Sequence, residues 1–234
     1  MGNKLGEGSF GIVYKGWWKG SIDVAIKTMS RSYQAQEFMK EANVMKKLDH
    51  PHVVKFYGVL QSPSSVSIVL EYMEGGSLLS VLKTRKSNIP CTQLLKFCSE
   101  VCSGMDYLHS ENTIHRDLAA RNCLVAQDLV VKIADFGLSR YVPDTTYYQS
   151  TYGVFARRWM PPEVYERKFT KKADVWAFEI IQRVMKQCWK YNKEDRPSFS
   201  DLSKKLASAL TSEESYKAPL WIMVEANQFE EDEE

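Results

Sequence analysis

The 234-residue sequence has no C-x-x-C pair, almost no excess of charge of either sign, and no long apolar run. Its five cysteines are odd in number, which argues against a disulfide framework or a zinc site and favours a reducing setting such as the cytoplasm. The 31 basic and 29 acidic residues leave a net charge of +2, so nucleic acid is not an expected partner. Stable membrane insertion is not expected either, because no apolar run approaches the ~18 residues that span a bilayer.

The sequence does contain enough apolar material for one globular core, with 44% hydrophobic and 12% aromatic residues. In the first third, runs at Ile12–Tyr14, Ile22–Ile26 and Val66–Leu70 predict short strands, interrupted by one amphipathic helix from Gln34 to Leu48. Beyond Gly75 a stripe of apolar residues at helical spacing predicts a core helix: Leu94, Cys98, Val101, Met105 and Leu108. We therefore expect an α+β fold with a small β-rich lobe that contains one helix and a larger, mainly helical lobe.

A glycine-rich segment, Gly6–Gly11, lies near the start of the sequence. Glycine has no Cβ and tolerates positive φ, so such a loop lets backbone amides approach a phosphate closely. A dinucleotide-binding fold would need a helix directly after the glycines, whereas Val13–Trp18 continues as strand and turn. Taken alone, the segment is equally compatible with a glycine-rich hairpin that binds nothing.

Two charged residues, Lys27 and Glu41, are predicted to meet in the small lobe. Strand alternation puts Ala25 and Lys27 on the same face of their strand. Glu41 lies on the inward flank of the predicted helix, beside Ala42, where an unpaired carboxylate would be costly. An ion pair between Lys27 and Glu41 removes that cost, and we predict one.

Three further motifs follow: H-R-D-L-A-A-R-N at His115–Asn122, D-F-G at Asp135–Gly137 and P-P-E at Pro161–Glu163. With the glycine loop and the V-A-I-K that ends at Lys27, they occur in the order of the protein kinase family, which the chain resembles over roughly residues 4–206. The resemblance implies a two-lobed kinase fold that binds ATP with Mg²⁺ and transfers the γ-phosphate. Such a reaction needs in-line positioning and charge neutralisation, which carboxylates with Mg²⁺ and one anchored lysine supply.

The resemblance also implies roles for individual residues. Asp117 accepts the proton of the substrate hydroxyl, and Asn122 and Asp135 hold the metal. The implied catalytic group is Asp117, Lys27 and Arg121. The residues implied to bind ATP are Leu5, Gly6, Glu7, Gly8, Ser9, Phe10, Gly11, Val13, Ala25, Lys27, Glu41, Leu70, Glu71, Met73 and Leu124. A regulatory stack between the lobes is implied for Met45, Phe56, His115 and Phe136.

The substrate class follows from the same resemblance. Serine/threonine kinases usually place a lysine two residues after the catalytic aspartate, whereas this sequence has Ala119 there and Arg121 two residues further on, as in tyrosine kinases. The segment Arg157–Glu163 resembles the wall against which tyrosine kinases lay a substrate ring. Protein tyrosines are therefore the expected substrates.

Tyr147 and Tyr148 lie in a polar stretch between the D-F-G and P-P-E motifs. By resemblance this stretch is the activation loop, and both tyrosines are expected phosphorylation sites. Tyr147 is the stronger candidate, ahead of Tyr148 and Tyr152, because it stands twelve residues after Asp135. Arg116 is implied to pair with the phosphorylated residue.

The resemblance is interrupted between Phe178 and Glu179. The residues before this junction are similar to the start of the central helix of the large lobe, and those after it are similar to a helix that normally comes much later. A segment of the large lobe is therefore missing. The kinase domain is expected at residues 1–206, with a small lobe of about 1–73 and a large lobe of about 77–206, followed by a tail at 207–234 that ends in acidic residues.

Apolar spacing from Ala173 to Trp189 predicts one continuous helix across the junction. Such a helix would carry Arg196 away from Glu163, its expected ion-pair partner, and leave a weakly stable large lobe. Two hypotheses for function follow. The chain is either an active cytoplasmic tyrosine kinase or a kinase-like protein that binds nucleotide or a partner with impaired turnover.

Overall fold

A computed structural model of the chain describes residues 2–8, 11–30, 35–62, 65–85, 88–141, 148–149, 168–178, 194, 196 and 198–204. The strands in these ranges are β1 (Lys4–Gly8), β2 (Gly11–Trp18), β3 (Ile22–Ser30), β4 (Phe56–Gln61), β5 (Ser65–Glu71), β6 (Thr113–Ile114), β7 (Cys123–Val125), β8 (Val131–Ile133), β9 (Arg140–Tyr141), β10 (Tyr148–Gln149) and β11 (Lys168–Phe169). The helices are α1 (Ala35–Met45), α2 (Leu78–Arg85), α3 (Cys91–Ser110) and α4 (Lys171–Ala177).

The small lobe is an antiparallel sheet with strand order β1-β2-β3-β5-β4, and the three predicted strands are part of it. Alternation along β3 puts Val24 and Ile26 into an apolar cluster with Val69 on one face. Ala25 and Lys27 therefore face the other side, toward α1. The predicted helix is confirmed as α1, although it ends at Met45, ahead of Leu48.

The large lobe is built around α3, whose predicted apolar stripe is confirmed as core. Cys98, Val101, Met105 and Leu108 are fully buried, because a 3.6-residue repeat turns all of them toward the same side. The β7–β8 hairpin and α4 pack into the same cluster. These contacts hold the loops between α3 and β8 against the packed helices of the large lobe.

The connection between the lobes passes through Gly75 and Gly76. A Cβ on Gly75 would lie 2.7 Å from the carbonyl oxygen of Val125, so only glycine allows this close approach to β7. Gly76 has φ +70°, which also favours glycine. The glycine pair, which lies between the two predicted lobes, thus fixes the connection against the large lobe.

The continuous helix predicted across the junction is wrong. Helix α4 ends at Ala177, and Phe178 has ψ 85°, which is outside helical geometry. Phe178 instead turns inward and packs edge-on against Phe199, at a centroid distance of 5.5 Å. Apolar spacing alone does not reveal this break, because Phe178 is apolar and fits the helical spacing as well as a turn into the core. In the structure Phe178 belongs to the buried core cluster.

The separation predicted between Arg196 and Glu163 stays a prediction, although the continuous helix on which it rested is wrong. Arg196 is buried, its guanidinium lies 4.7 Å from the centre of the Trp176 ring, and its Nη1 donates to the carbonyl of Lys172 at 3.4 Å. The chain after the junction therefore returns to α4. Glu163, the expected partner of Arg196, lies outside the described residues, as do residues 179–193.

A search of the helices within the described ranges finds none with the length and apolar character needed to cross a membrane.

Candidate active site

The predicted ion pair of the small lobe is present. Lys27 Nζ lies 2.8 Å from Oε1 and 3.0 Å from Oε2 of Glu41, and it also donates to Oδ1 of Asp135 at 3.0 Å. Burial lowers the pKa of Lys27, but the two carboxylates outweigh this effect and raise it overall. For Asp135 the two effects have the opposite signs: burial raises its pKa, and the Lys27 ammonium lowers it. The lowering outweighs the effect of burial, so the pKa of Asp135 is lowered overall. Lys27 is therefore a fixed cation and Asp135 a fixed anion near neutral pH.

Asp117 lies at the centre of a second group of contacts. Arg121 Nη2 donates to its Oδ1 at 2.5 Å, and Asn122 Nδ2 donates to its Oδ2 at 2.7 Å. A short 3₁₀ turn over Ala120–Asn122 brings both partners back toward the carboxylate. Burial raises the pKa of Asp117, and Arg121 and Asn122 offset part of this shift. The result is a carboxylate that is held in place and is more basic than an exposed aspartate.

The backbone around the D-F-G motif brings these two groups together. Asp135 has left-handed φ 60°, which turns its side chain toward Lys27 while Phe136 points into the core. His115 meets Phe136 edge-on at 5.3 Å, and its Nε2 lies 3.0 Å from the carbonyl of Ala134. Met45 and Phe136 belong to one buried cluster against which Phe56 packs, so the four residues predicted to link the lobes lie in one region.

The residues predicted for the adenine pocket also come together. Leu70, at the end of β5, pairs in register with Ala25, and Val13 pairs with Lys27 one strand further on. Met73 is buried in a cluster against which Leu70 and Leu124 pack. Leu70, Met73 and Leu124, which come from separate parts of the chain, therefore lie in one apolar region.

The described part of the glycine segment lies at the paired ends of β1 and β2. Gly6 pairs with Val13, Glu7 with Ile12, and Gly8 with Gly11. Leu5 lies in β1 and is 44% exposed. Ser9 and Phe10, which were predicted to contact ATP, lie outside the described residues.

The Glu71 side chain has a structural use that the sequence did not indicate. Its carboxylate binds Lys132 Nζ on β8 at 2.7 and 2.9 Å, and the backbone N–H of Lys55 donates to it at 3.1 Å. The ion pair joins the end of the small lobe to the β7–β8 hairpin, and no sequence signal distinguishes Lys132 from an ordinary solvated lysine.

Asp174 is a functional residue that sequence reasoning missed. It is 1% exposed, and its carboxylate accepts the backbone N–H of His115 and that of Arg116, each at 2.8 Å. His109 Nε2 lies 3.0 Å from the same carboxylate. Asp174 therefore fixes the backbone just ahead of Asp117. A carboxylate within the buried face of α4, between Ala173 and Val175, is the signal that could have revealed it.

The activation segment is described only in part. Tyr148 lies in β10 and pairs with Phe169 of β11. Tyr147, Tyr152 and the segment Arg157–Glu163 lie outside the described residues. Arg116 is buried, with its guanidinium carbon 4.0 Å from the centre of the Phe169 ring.

Comparison with known proteins agrees with this geometry. Residues 1–182 match the sequence model of a family described as protein tyrosine and serine/threonine kinase. The chain belongs to this protein kinase family. Curated relatives of this kinase chain include cytoplasmic tyrosine-protein kinase BMX of Mus musculus, 48% identical over 76% of the chain, and tyrosine-protein kinase Btk of Drosophila melanogaster, 40% identical over 87%. Tyrosine-protein kinase Fer of Homo sapiens is 35% identical over 88%.

The kinase chain covers only part of these relatives, namely 28% of the length of BMX, 32% of Btk and 30% of Fer. The alignment with Btk runs over 248 residues although it includes 87% of a 234-residue chain, so it must contain gaps in this chain. The family match also ends at residue 182, just after the junction. Both findings are consistent with a missing segment of the large lobe.

Proposed function

We propose that the chain is a non-receptor protein tyrosine kinase that transfers the γ-phosphate of ATP to tyrosine hydroxyls of protein substrates. The observation that carries the proposal is the Asp117 carboxylate, held by Arg121 at 2.5 Å and Asn122 at 2.7 Å. It lies close enough to Asp135, the partner of Lys27, for the Asp135 charge to contribute to its raised pKa. The relatives named above are tyrosine kinases, which supports the substrate class. One of them is by name a cytoplasmic enzyme, and the proposal places the activity in the cytoplasm.

The residues present fit ATP with Mg²⁺. Mg²⁺ is usually held by one or two carboxylates together with substrate phosphates, and it keeps several waters. Asp135 supplies such a carboxylate with a lowered pKa. Asn122 uses its amide nitrogen on Asp117, so its Oδ1 is the atom that can face a metal. When bound, the ion would neutralise charge on the phosphates.

The protein groups then have separate tasks. Lys27, anchored by Glu41, binds phosphate oxygens, and the hairpin of β1 and β2 covers them. Asp117 orients the tyrosine hydroxyl and accepts its proton, for which a carboxylate with a raised pKa is suited. Arg121 orients Asp117 and keeps it ionised. The alternative hypothesis, a binding protein with impaired turnover, gains no support from the described residues on either side of the junction, since these pack into the core.

A set of matched peptides tests the proposal. Three peptides that differ only at a central tyrosine, serine or phenylalanine are incubated with the purified chain, ATP and Mg²⁺, and phosphorylation is followed by mass spectrometry. We expect phosphate on the tyrosine peptide alone. Phosphate mainly on the serine peptide would refute the substrate class, and no phosphate on any peptide would refute the activity.

Replacing Arg121 tests how the catalytic carboxylate is tuned. Because the Arg121 cation lowers the pKa of Asp117, Arg121→Gln should raise that pKa further. Asp117 must be ionised to accept a proton, so the acid side of the pH–kcat profile should move to higher pH, with a loss of less than about tenfold on the plateau. Arg121→Lys keeps the positive charge, so it should move the acid side of the pH–kcat profile less than Arg121→Gln does. An acid limb that is the same in all three proteins would exclude this role.

Autophosphorylation tests the two candidate tyrosines. We expect Tyr147→Phe to reduce the gain of activity that follows preincubation with ATP, and Tyr148→Phe to reduce it less. Mass spectrometry of the activated protein should locate phosphate mainly on Tyr147. Activity that rises with phosphate on Tyr148 or Tyr152 while Tyr147 stays unmodified would reverse the ranking.

A further inference from the structure

Phe169 and Arg116 form a buried contact between a ring face and a cation. Phe169 is fully buried and Arg116 is 7% exposed. The guanidinium carbon lies 4.0 Å from the ring centroid, well inside the ~6 Å reach of a cation–π interaction. Guanidinium is planar and weakly hydrated, so it stacks on a ring with little loss of solvation. The ring face therefore offsets part of the cost of burying this charge.

The backbone of Arg116 is held from the same part of the fold. Its φ of 69° is left-handed, and its N–H donates to Asp174 Oδ1 at 2.8 Å. Phe169 thus contacts the side chain, and Asp174, five residues later, holds the backbone. Asp117 follows Arg116 directly in the chain. Fixing Arg116 at both points fixes the direction in which the Asp117 carboxylate leaves the backbone.

Phe169 also connects to the activation segment. In the β10–β11 ladder Phe169 pairs directly with Tyr148, and Gln149 pairs with Lys168. The ring that contacts Arg116 therefore belongs to a strand whose partner comes from the segment that holds the candidate phosphorylation sites.

We propose that Phe169 is a positioning residue, whose ring face seats Arg116 and so orients Asp117, and which links the β10–β11 pairing to turnover. The inference rests on the proposed tyrosine kinase function. The contact through which Phe169 acts in this proposal is the one with Arg116, which directly precedes Asp117 in the chain. Its loss should therefore lower kcat and leave the KM for ATP unchanged.

Fluorinated phenylalanines test this with little change of shape. In the full chain, Phe169 is replaced by analogues with one, two and three ring fluorines, which progressively weaken the negative face of the ring. We expect kcat to fall stepwise, by about tenfold over the series if ~1.4 kcal/mol of the contact is lost, with constant KM for ATP. The midpoint of thermal unfolding should fall in the same order.

Two matched series serve as controls. The same analogues at Phe178, an equally buried ring that faces Phe199, should leave kcat unchanged. In an Arg116→Met background, where the cation is absent, the unfolding midpoint should no longer depend on the fluorination of residue 169. Any one of three results would overturn the inference alone. These are a kcat that does not change with fluorination at Phe169, a kcat that falls equally with fluorination at Phe178, and an unfolding midpoint that still falls with fluorination of residue 169 in the Arg116→Met background. Absence of transfer by the unsubstituted chain would overturn the proposed function and this inference with it.

Discussion

Lys27→Met is expected to lower phosphate transfer by about 10²–10³-fold, the loss typical when a preorganised electrostatic group is removed from a reaction centre. The ammonium of Lys27 is the cation that contacts both Glu41 and Asp135, at 2.8 and 3.0 Å. Without this ammonium no cation binds the phosphates at this point, and the negative charges of Glu41 and Asp135 repel them. Transfer is measured with a tyrosine peptide at saturating ATP, and Lys15→Met, which removes a surface lysine paired with Asp23, is the control.

The same substitution should destabilise the small lobe, and this effect can be separated from catalysis. Lys27→Met leaves Glu41, which is 3% exposed, buried without its cation, and breaking a buried ion pair costs ~3–5 kcal/mol. Adding Glu41→Gln removes the uncompensated charge. We expect the double variant to recover most of the lost stability and none of the activity. Recovery of activity together with stability would mean that Lys27 has only a structural role.

Asp174→Ala is expected to have the largest effect on stability. The carboxylate accepts two backbone N–H groups, from His115 and Arg116, and contacts His109. Each buried N–H that loses its partner costs ~1–3 kcal/mol, so the free energy of unfolding should fall by about 2–6 kcal/mol out of a typical ~5–15. For a domain of this size the unfolding midpoint should drop by roughly 5–20 °C.

Transfer should also fall in Asp174→Ala at temperatures where the variant remains folded, because the backbone before Asp117 is no longer fixed. Asp201→Ala is the matched control. Asp201 accepts from the N–H and hydroxyl of Ser198, which directly precedes the helical residues 199–204. The loss of such a cap costs about 1 kcal/mol. Equal midpoints and equal kcat values for the two variants would exclude the bracing role of Asp174.

Strands, helices and motifs of this fold could be predicted where the sequence pattern that specifies them lies within a short stretch of the chain. The strands β2, β3 and β5 and the helix α3 follow from periodicity, and Lys27 and Glu41 follow from strand face and helix flank. The ordered motifs were specific enough to identify the family. In each case the relevant residues lie within one element or one motif, so the pattern itself carries the information.

The contacts that could not be predicted join residues far apart in the chain. Lys132 with Glu71, Phe169 with Arg116, and Asp174 with the catalytic loop depend on how loops are folded back, which periodicity does not encode. The error at the junction has the same origin. Apolar spacing through Phe178 is equally compatible with a longer helix and with a turn into the core.

The return of Arg196 to α4 bears on how the missing segment affects the enzyme. The prediction of a weakly stable large lobe assumed that this arginine is carried away, whereas Arg196 lies against Trp176, and Phe199 meets His109 edge-on at 5.3 Å. His109 in turn contacts Asp174, which braces the catalytic loop. The described residues after the junction thus support the loop that carries Asp117. Low stability of the large lobe remains a prediction.

We propose that this chain, despite its missing segment, carries a working phosphoryl-transfer site. The most direct test is transfer of radiolabelled γ-phosphate from ATP to a tyrosine peptide by the purified chain beside an Asp117→Asn variant, with both proteins matched for cooperative thermal unfolding. We expect Mg²⁺-dependent incorporation by the unsubstituted chain. In Asp117→Asn we expect a loss of at least about 10²-fold, since a general base contributes ~10²–10⁴-fold. No incorporation by a folded, monomeric chain, or equal incorporation by the variant, would contradict this proposal.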